Sequence, residues 1–120
     1  MPDSVRHWFA SPRAAVGFLV HAAALDTDAL CSVRALTMPG VSATVAEQID
    51  GLRRVGGEAA VRLIRREPDE AVARIVSSWP RSFDTRRAHE LGFRAEASFD
   101  EILRVHLEDE LGGRPAVAAA

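Results

Sequence analysis

Four histidines and one cysteine are the side chains of this 120-residue chain that could ligate a metal or serve as a nucleophile and its base. His7, His21, His89 and His106 are spaced so that no two share a helical turn, and the sequence therefore predicts no metal site. Cys31 has no histidine near it in the chain, and its Leu-Cys-Ser-Val context favours a small buried side chain. Because His21 and His106 lie on apolar helix faces, we expect both to be hydrogen-bonded core histidines.

Acid–base and phosphate-binding patterns are equally sparse. Glu108, Asp109 and Glu110 are consecutive on a predicted helix, so we expect them to spread over its surface instead of converging as a general acid–base pair. Gly56-Gly57 follows a helix pattern, which indicates a C-terminal cap. The sequence has neither a G-x-G-x-x-G loop nor a Walker loop. We therefore predict no catalytic residue and no cofactor site in this chain.

The composition excludes several partners. All 15 basic residues are arginine, and they are spread among 17 acidic residues without the basic face that nucleic-acid binding requires. The longest apolar run, residues 14–25, is too short to cross a bilayer, and no signal peptide is predicted. A single cysteine excludes an intrachain disulfide framework. We expect a reducing, cytoplasmic setting, with no nucleic-acid and no membrane partner.

The first half of the chain contains strand and helix signals in alternation. Residues 5–9 have the pattern of a short strand, Ser11 suits an N-cap, and Pro12 suits the first helical position. The helix predicted over residues 12–25 is apolar on nearly every side, which is typical of a helix buried on more than one side. A second strand is predicted at residues 33–37, followed by a turn at Pro39-Gly40.

The remainder is predicted to be mainly helical. Thr44 with Glu47 and Ser98 with Glu101 each fit a capping box, and Asp84 suits the start of a short helix. Residues 61–66 fit either a strand or the end of a helix. Further helices are predicted over residues 44–56, 68–79, 84–91 and 98–111. The expected fold is α+β, mainly helical with two or three short strands, in one segment over residues 1–111 and a disordered tail over residues 112–120.

Several blocks of the sequence carry a resemblance to a known family. RHWF at residues 6–9, followed by SPRAA at residues 11–15, resembles a segment of the extended short-chain dehydrogenase/reductase family, also called the NAD-dependent epimerase/dehydratase family. Further similar blocks follow in the family's order: RALTMPG at 34–40, TVAE at 44–47, FDTRRA at 83–88, LGF at 91–93 and SFDEI at 98–102. Within the family, the chain is most similar to the NAD-dependent sugar-acid dehydrogenases.

The resemblance implies a C-terminal substrate-binding part whose Rossmann domain is absent. The family carries its glycine loop and a catalytic Tyr-x-x-x-Lys pair in that domain, whereas this chain has no tyrosine and no lysine. We therefore expect a fragment or split subunit that is not catalytic by itself. No cofactor is expected in this chain, and NAD is implied for the full-length family member. The implied partners are the Rossmann half of the enzyme or a second copy of the chain, together with a small sugar-acid substrate.

Arg6 and Trp8 are the residues to which the resemblance assigns substrate binding. Related enzymes that use nucleotide sugars have an arginine at the position of Arg6, near the substrate phosphates. In a sugar-acid dehydrogenase the corresponding anion is the substrate carboxylate, which a guanidinium binds through two hydrogen bonds. The alternatives for Arg6 are capping of a helix or an ion pair with an acid such as Asp3 or Asp26, and the alternative for Trp8 is a packing role. Strand alternation places His7 on the opposite face.

A second function remains open from the sequence alone. The chain could be a free-standing helical interaction module without catalysis. Such a module should cover its apolar surface or use it for self-association, whereas a fragment should expose the surface that faces its missing partner.

Overall fold

A two-stranded sheet and five α-helices form residues 1–115, the part of the chain that the computed structural model describes. In chain order they are β1 (Arg6–Phe9), α1 (Pro12–Ala24), β2 (Val41–Thr44), α2 (Val45–Val61), α3 (Glu70–Ser77), α4 (Arg86–Glu90) and α5 (Phe99–Leu111), with a short 3₁₀ turn at Thr27–Leu30. The predicted α+β class and the predominance of helix are confirmed.

The start of α1 is fixed by two polar side chains. The hydroxyl of Ser11 accepts a hydrogen bond from the Ala14 N–H at 2.9 Å, as expected of an N-cap. The carboxylate of Glu96 accepts from the Ser11 hydroxyl and, at 3.2 Å, from the Ser11 N–H. These bonds satisfy Ser11, which is fully buried, and they tie α1 to the segment before α5.

One stripe of α1 is covered and the rest is exposed. The half-buried positions recur at helical spacing: Ala14, Phe18, His21 and Leu25. Phe18 and His21 pack on Phe93, which is 1% exposed. Val16, Leu19 and Val20 are 60%, 73% and 66% exposed. The predicted burial on more than one side is therefore not found within residues 1–115, because no element there covers the outer side.

The antiparallel sheet pairs β1 with β2 in a register that sets Arg6 opposite Thr44 and Trp8 opposite Ser42. The predicted capping box at Thr44 and Glu47 is present and begins α2. Gly57, at φ +80°, breaks the regular helix where the sequence placed its end, and one further turn continues to Val61.

The predicted strand at residues 33–37 is wrong for this structure, as is the predicted turn at Pro39-Gly40. Residues 33–40 form neither strand nor turn, and the second strand is β2, at Val41–Thr44. The reason is non-local: residues 41–44 lie beside β1, whereas residues 33–37 have no strand beside them among residues 1–115.

Helix α3 is shorter and more exposed than expected. It begins at Glu70 with Asp69 as its N-cap and ends at Ser77, before Pro80. Of its predicted apolar stripe, Val76 is buried, whereas Val72, Ile75 and Trp79 are 45%, 60% and 54% exposed. The stripe was predicted from helical spacing alone, and within residues 1–115 little packs against it.

Helices α4 and α5 lie close to their predicted bounds. Asp84 accepts from the Arg86 N–H at 3.1 Å, and the segment ends at Gly92, whose φ is +91°. Ser98 caps α5 by accepting from the Glu101 N–H at 3.2 Å. The Glu101 carboxylate accepts from the Ala97 N–H at 2.9 Å instead of from Ser98.

The end of α5 is closed by Gly112, which adopts the left-handed conformation. Gly113 donates to the Leu107 carbonyl at 2.8 Å, so the first residues of the predicted tail form the helix cap. Residues 116–120 of that tail lie outside the described residues. Within residues 1–115, no helix is long and apolar enough to cross a membrane.

The hydrophobic core is small. Five apolar side chains among residues 1–115 are buried: Pro39, Ala43, Val76, Ala88 and Phe93. The chain exposes 8298 Å², whereas a compact monomer of 13.0 kDa exposes roughly 6,300 Å². Its radius of gyration is 16.9 Å, against about 14 Å for a compact domain of this length. The molecule is flat, measuring 54 × 36 × 18 Å, and it exposes about 2,000 Å² more than a self-contained domain.

Candidate functional site

Arg6 and Trp8 lie on the same side of the sheet because side chains alternate along a strand. Their cross-strand partners, Thr44 and Ser42, lie on that side as well. We call these four residues the outer face. His7, between the two, is 8% exposed and lies on the other side, as the alternation predicted.

The guanidinium of Arg6 is held by β2 and by the first turn of α2. It donates to the Ser42 carbonyl at 3.0 Å and to the Glu47 carboxylate at 3.2 Å. Glu47 is the capping-box acid of α2, so the position of Arg6 depends on the local fold of the Thr44 cap. The ion-pair alternative is therefore realised with Glu47, not with Asp3 or Asp26; Asp3 pairs with Arg66.

The Arg6 side chain remains 37% exposed despite these bonds. A guanidinium carries five N–H donors, and the bonds to Ser42 and Glu47 leave donors for a ligand. A hydrogen bond from the Thr44 N–H and the nearby Arg6 hold the pKa of Glu47 below its usual range. Glu47 is therefore ionised at neutral pH and suits an ion pair, not a general acid.

Trp8 is half-buried and lies against Phe83 and Gly40. Its ring meets Phe83 edge to face, with 5.6 Å between ring centroids. Gly40 is also close to the indole, since an added Cβ there would stand 2.5 Å from Trp8 Nε1 and 2.6 Å from the Phe9 carbonyl oxygen. A groove of about 410 Å³ is lined by Trp8 and Phe83 and also by His7, Phe9 and Trp79 of the opposite face, and Arg6 is not among its lining residues. On the outer face, the half-exposed guanidinium of Arg6 therefore lies on the same side of β1 as the indole of Trp8. Such a pair can bind a small anion whose carbon chain packs on the indole.

The opposite side of β1 is a packing surface. Phe9 meets Phe99 of α5 at a centroid distance of 5.3 Å, and His7 meets Trp79 at 5.7 Å. His7 Nε2 lies 3.4 Å from the sulfur of Met1, and its Nδ1 is buried without a hydrogen-bond partner among residues 1–115. Within residues 1–115, this face packs the strand against α5 and against Trp79, which follows α3.

Two further histidines, His21 and His106, and the single cysteine lie away from the outer face. His21 Nε2 lies 2.7 Å from the Leu91 carbonyl, so this histidine is hydrogen-bonded as expected. His106 and Cys31 are exposed, and the predictions that they are buried are wrong, because α5 presents His106 outward and Cys31 follows the exposed 3₁₀ turn with φ +52°. No group of three metal-ligating side chains occurs within the described residues.

The acids at the end of α5 converge more than expected. Glu108 and Asp109 both accept from the guanidinium of Arg13, at 2.9 and 3.0 Å, which joins α5 to α1. These bonds hold the pKa of Asp109 below its usual value. The pair is a structural clamp around one cation, so the prediction that these acids do not form a general acid–base pair is consistent with it.

Sequence reasoning missed the supports of the outer face: Gly40, Ser42, Glu47 and Phe83. Glu47 carried a signal, its capping box, but nothing local indicated that it also meets Arg6 across 41 residues of chain. A further groove, of about 840 Å³ between α2 and the segment before α3, includes neither Arg6 nor Trp8.

Comparisons with known proteins found relatives that are much longer than this chain. The chain is 42% identical over 102 residues to D-erythronate dehydrogenase of Cupriavidus necator, covering 85% of the chain and 32% of the relative. It is 33% identical over 109 residues to D-erythronate dehydrogenase of Haemophilus influenzae, covering 91% and 35%. No protein-family model matches it.

A solved structure agrees with these relatives. The crystal structure of a nucleoside-diphosphate-sugar epimerase from Agrobacterium tumefaciens is similar with a TM-score of 0.91 and 58% sequence identity. The similarity covers 94% of this chain and 33% of that one. The chain therefore spans about a third of the length of the proteins it matches.

Proposed function

The chain belongs to the extended short-chain dehydrogenase/reductase family, matching its C-terminal part, and from this we propose that it binds the substrate of an NAD-dependent sugar-acid dehydrogenase without catalysing the reaction by itself. The two curated relatives are both named D-erythronate dehydrogenase, which favours a four-carbon sugar acid.

The observation that carries the proposal is the half-exposed guanidinium of Arg6 beside Trp8. A sugar acid presents one carboxylate and a short hydroxylated chain. Arg6 pairs with the carboxylate through its remaining N–H donors, and Ser42 and Glu47 keep the guanidinium in place. Trp8 provides the apolar wall beside the carbon chain. Both residues hold and orient the substrate, and neither transfers a proton.

Cofactor binding and proton transfer are assigned to the part of the enzyme that this chain does not span. An acidic side chain lies at the N-terminus of each of the five helices in residues 1–115: Glu96, Glu47, Asp69, Asp84 and Glu101. A dinucleotide pyrophosphate binds to free backbone N–H groups at a helix N-terminus. At these five helices an acidic side chain already accepts a hydrogen bond from a backbone N–H there. The chain also lacks tyrosine and lysine, so it has no pair of the family's type.

The exposed surface supports a partner over a free-standing module. The surplus of about 2,000 Å² exceeds the roughly 800 Å² that each partner buries in a standard interface. Much of it is apolar, as at Leu19 and Ile75. We propose that the nucleotide-binding part of the enzyme covers the outer side of α1.

A chimaera tests the proposal. The C-terminal third of the Cupriavidus necator relative is replaced by this chain, and NAD reduction with D-erythronate is measured. We expect an active enzyme in which Arg6→Ala raises KM for D-erythronate by roughly 10- to 100-fold, as loss of a charged hydrogen bond implies, with a much smaller change in kcat.

The matched control is Arg86→Ala, which removes an arginine whose side chain is 85% exposed and paired with Asp84. This variant should keep KM within about twofold. Arg6→Ala could also weaken the fold through Ser42 and Glu47, so each variant's melting temperature is recorded. A folded Arg6→Ala chimaera with an unchanged KM would contradict the proposed role of Arg6.

A further inference from the structure

Residues 79–83, between α3 and α4, pass from one side of the sheet to the other. At the start of this segment, Trp79 packs on His7 of the opposite face, with 5.7 Å between ring centroids. At its end, Phe83 meets Trp8 of the outer face at 5.6 Å. All five residues are exposed, and they form neither helix nor strand. The position of these residues, which we call the crossing segment, therefore depends on a few side-chain contacts.

Ser42 of β2 holds the middle of the crossing segment. Its hydroxyl donates to the Arg81 carbonyl at 2.6 Å. A hydroxyl has one proton, so the Ser42 oxygen presents lone pairs to the Arg6 guanidinium, whose Nη1 lies 3.5 Å away. The Ser42 carbonyl accepts from the same Nη1 at 3.0 Å. Ser42 therefore joins the crossing segment to the arginine of the candidate site.

The crossing segment also borders the groove beside Trp8. Three of the residues that line this groove belong to the segment: Trp79, Pro80 and Phe83. Ser42 is the cross-strand partner of Trp8, so its bond to Arg81 fastens the segment next to the indole. A hydrogen bond fixes distance and angle more narrowly than edge-to-face ring contacts do. The Ser42 hydroxyl therefore decides how closely Phe83 covers the Trp8 ring.

We propose that Ser42 is a positioning residue for substrate binding, which acts through the crossing segment to hold Phe83 against Trp8. The indole, fixed in this way, forms the wall on which the carbon chain of the sugar acid packs. Ser42 itself neither touches the substrate nor transfers a proton, so its hydroxyl affects binding and not the chemical step. The inference rests on the proposed function, which assigns the substrate to Arg6 and Trp8.

Steady-state kinetics of the chimaera described above test the role in binding. Ser42→Ala should raise KM for D-erythronate roughly two- to tenfold, as expected for the loss of one hydrogen bond, and change kcat by less than about twofold. Ser42→Thr keeps a hydroxyl on a side chain that suits a strand, and it should restore KM. The matched control is Ser82→Ala, which removes the hydroxyl of an exposed serine within the crossing segment and should leave KM unchanged.

A double-mutant cycle tests the route through the crossing segment. Phe83→Ala removes the ring that the segment places on Trp8, and it should raise KM about as much as Ser42→Ala does. Because Ser42 acts through Phe83, adding Ser42→Ala to Phe83→Ala should raise KM by less than about twofold further. Full, independent effects of the two substitutions would show that Ser42 acts through Arg6 instead, and would overturn the proposal.

Tryptophan fluorescence of the isolated chain gives a measurement that needs no catalysis. The chain has two tryptophans, so Trp79→Phe leaves Trp8 as the reporter and keeps an aromatic ring against His7. Leu19→Glu, on the exposed side of α1, is added to keep the chain in solution. In this background Ser42→Ala should shift Trp8 emission to longer wavelength and increase its quenching by acrylamide, because the indole gains contact with water. Ser42→Thr should leave both unchanged.

The outcomes separate this inference from the proposed function. Unchanged Trp8 fluorescence in Ser42→Ala would overturn the positioning role. Altered fluorescence with an unchanged KM, in an assay where Arg6→Ala raises KM, would also overturn it and leave the proposed function standing. An unchanged KM in Arg6→Ala would contradict the proposed function and, with it, the role of Ser42 in binding. Ser42→Cys, which is close to serine in size but a weak donor, replaces Ser42→Ala in every measurement if the alanine variant does not fold.

Discussion

At the scale of single residues, Gly40 makes the closest approach to the candidate site. A methyl group there would stand 2.5 Å from Trp8 Nε1 and 2.6 Å from the backbone oxygen of Phe9. Gly40→Ala should therefore destabilise the chain by about 1–3 kcal/mol, the usual cost of overpacking. Gly17→Ala is the matched control, because an added Cβ there meets nothing within 4 Å, and it should stabilise α1 by about 0.5–1 kcal/mol. Urea unfolding measures both; equal effects would contradict the tight packing of Gly40 on Trp8.

Glu47 gives the stability of the chain a dependence on pH. Its pKa lies below the ordinary 4.5 in the folded state, through the hydrogen bond from the Thr44 N–H and the neighbouring Arg6. A carboxyl group with a lowered folded pKa stabilises the fold above its unfolded pKa, and this stability is lost as pH falls through the folded value. We expect unfolding free energy to fall as pH drops below about 4.5 and Glu47→Gln to flatten that decline.

Thr44→Ala is the control for this titration. It removes the N-cap hydroxyl, which should cost about 1 kcal/mol, but it keeps the carboxylate and should therefore keep most of the pH dependence. The unfolding free energy of both variants is measured between about pH 2.5 and 7, an interval that includes the ordinary pKa of 4.5. An unchanged pH profile in Glu47→Gln would show that the Arg6–Glu47 pair does not contribute to the fold.

At the scale of elements, α1 has one covered stripe and one exposed side. Leu19 is 73% exposed, whereas Phe18 packs toward Phe93. Leu19→Glu should improve solubility with little loss of helix, as Val16→Glu should. Phe18→Glu should unfold the chain, because a carboxylate there would lie against an apolar surface without a partner. Circular dichroism and solubility after centrifugation check this contrast; similar behaviour of Leu19→Glu and Phe18→Glu would contradict the observed orientation of α1.

Elements with local signals were predictable from sequence, and those that depend on distant contacts were not. The cap at Ser11, the capping box at Thr44 and the glycine after α5 each act within a few residues, so they marked helix ends correctly. Strand identity depends on a neighbour, which is why residues 41–44 were missed and residues 33–37 were assigned without a partner. The candidate site depends on distant contacts in the same way. Arg6 was identified by resemblance, but its ion pair with Glu47 joins residues that are 41 positions apart and is visible only in the folded chain.

At the scale of the whole molecule, we expect dinucleotide binding to lie outside this chain. Acidic side chains lie at its helix N-termini, and the sequence has no glycine loop. We expect the isolated chain neither to bind NAD nor to oxidise D-erythronate. Isothermal titration calorimetry with NAD should detect no binding at cofactor concentrations up to about 1 mM. A dissociation constant of that size corresponds to a binding free energy of about −4 kcal/mol. Micromolar binding would contradict the proposal that the cofactor binds to the part of the enzyme that this chain does not span.

The exposed apolar surface makes the association state of the isolated chain the most direct test of the central claim, that this chain is one part of a larger enzyme. Static light scattering over a range of micromolar concentrations measures it. Because the chain exposes about 2,000 Å² more than a compact monomer, we expect its average mass to rise with concentration, and Leu19→Glu to reduce that rise. A stable, monodisperse monomer that both Leu19→Glu and Phe18→Glu disrupt would contradict the account and favour a self-sufficient module.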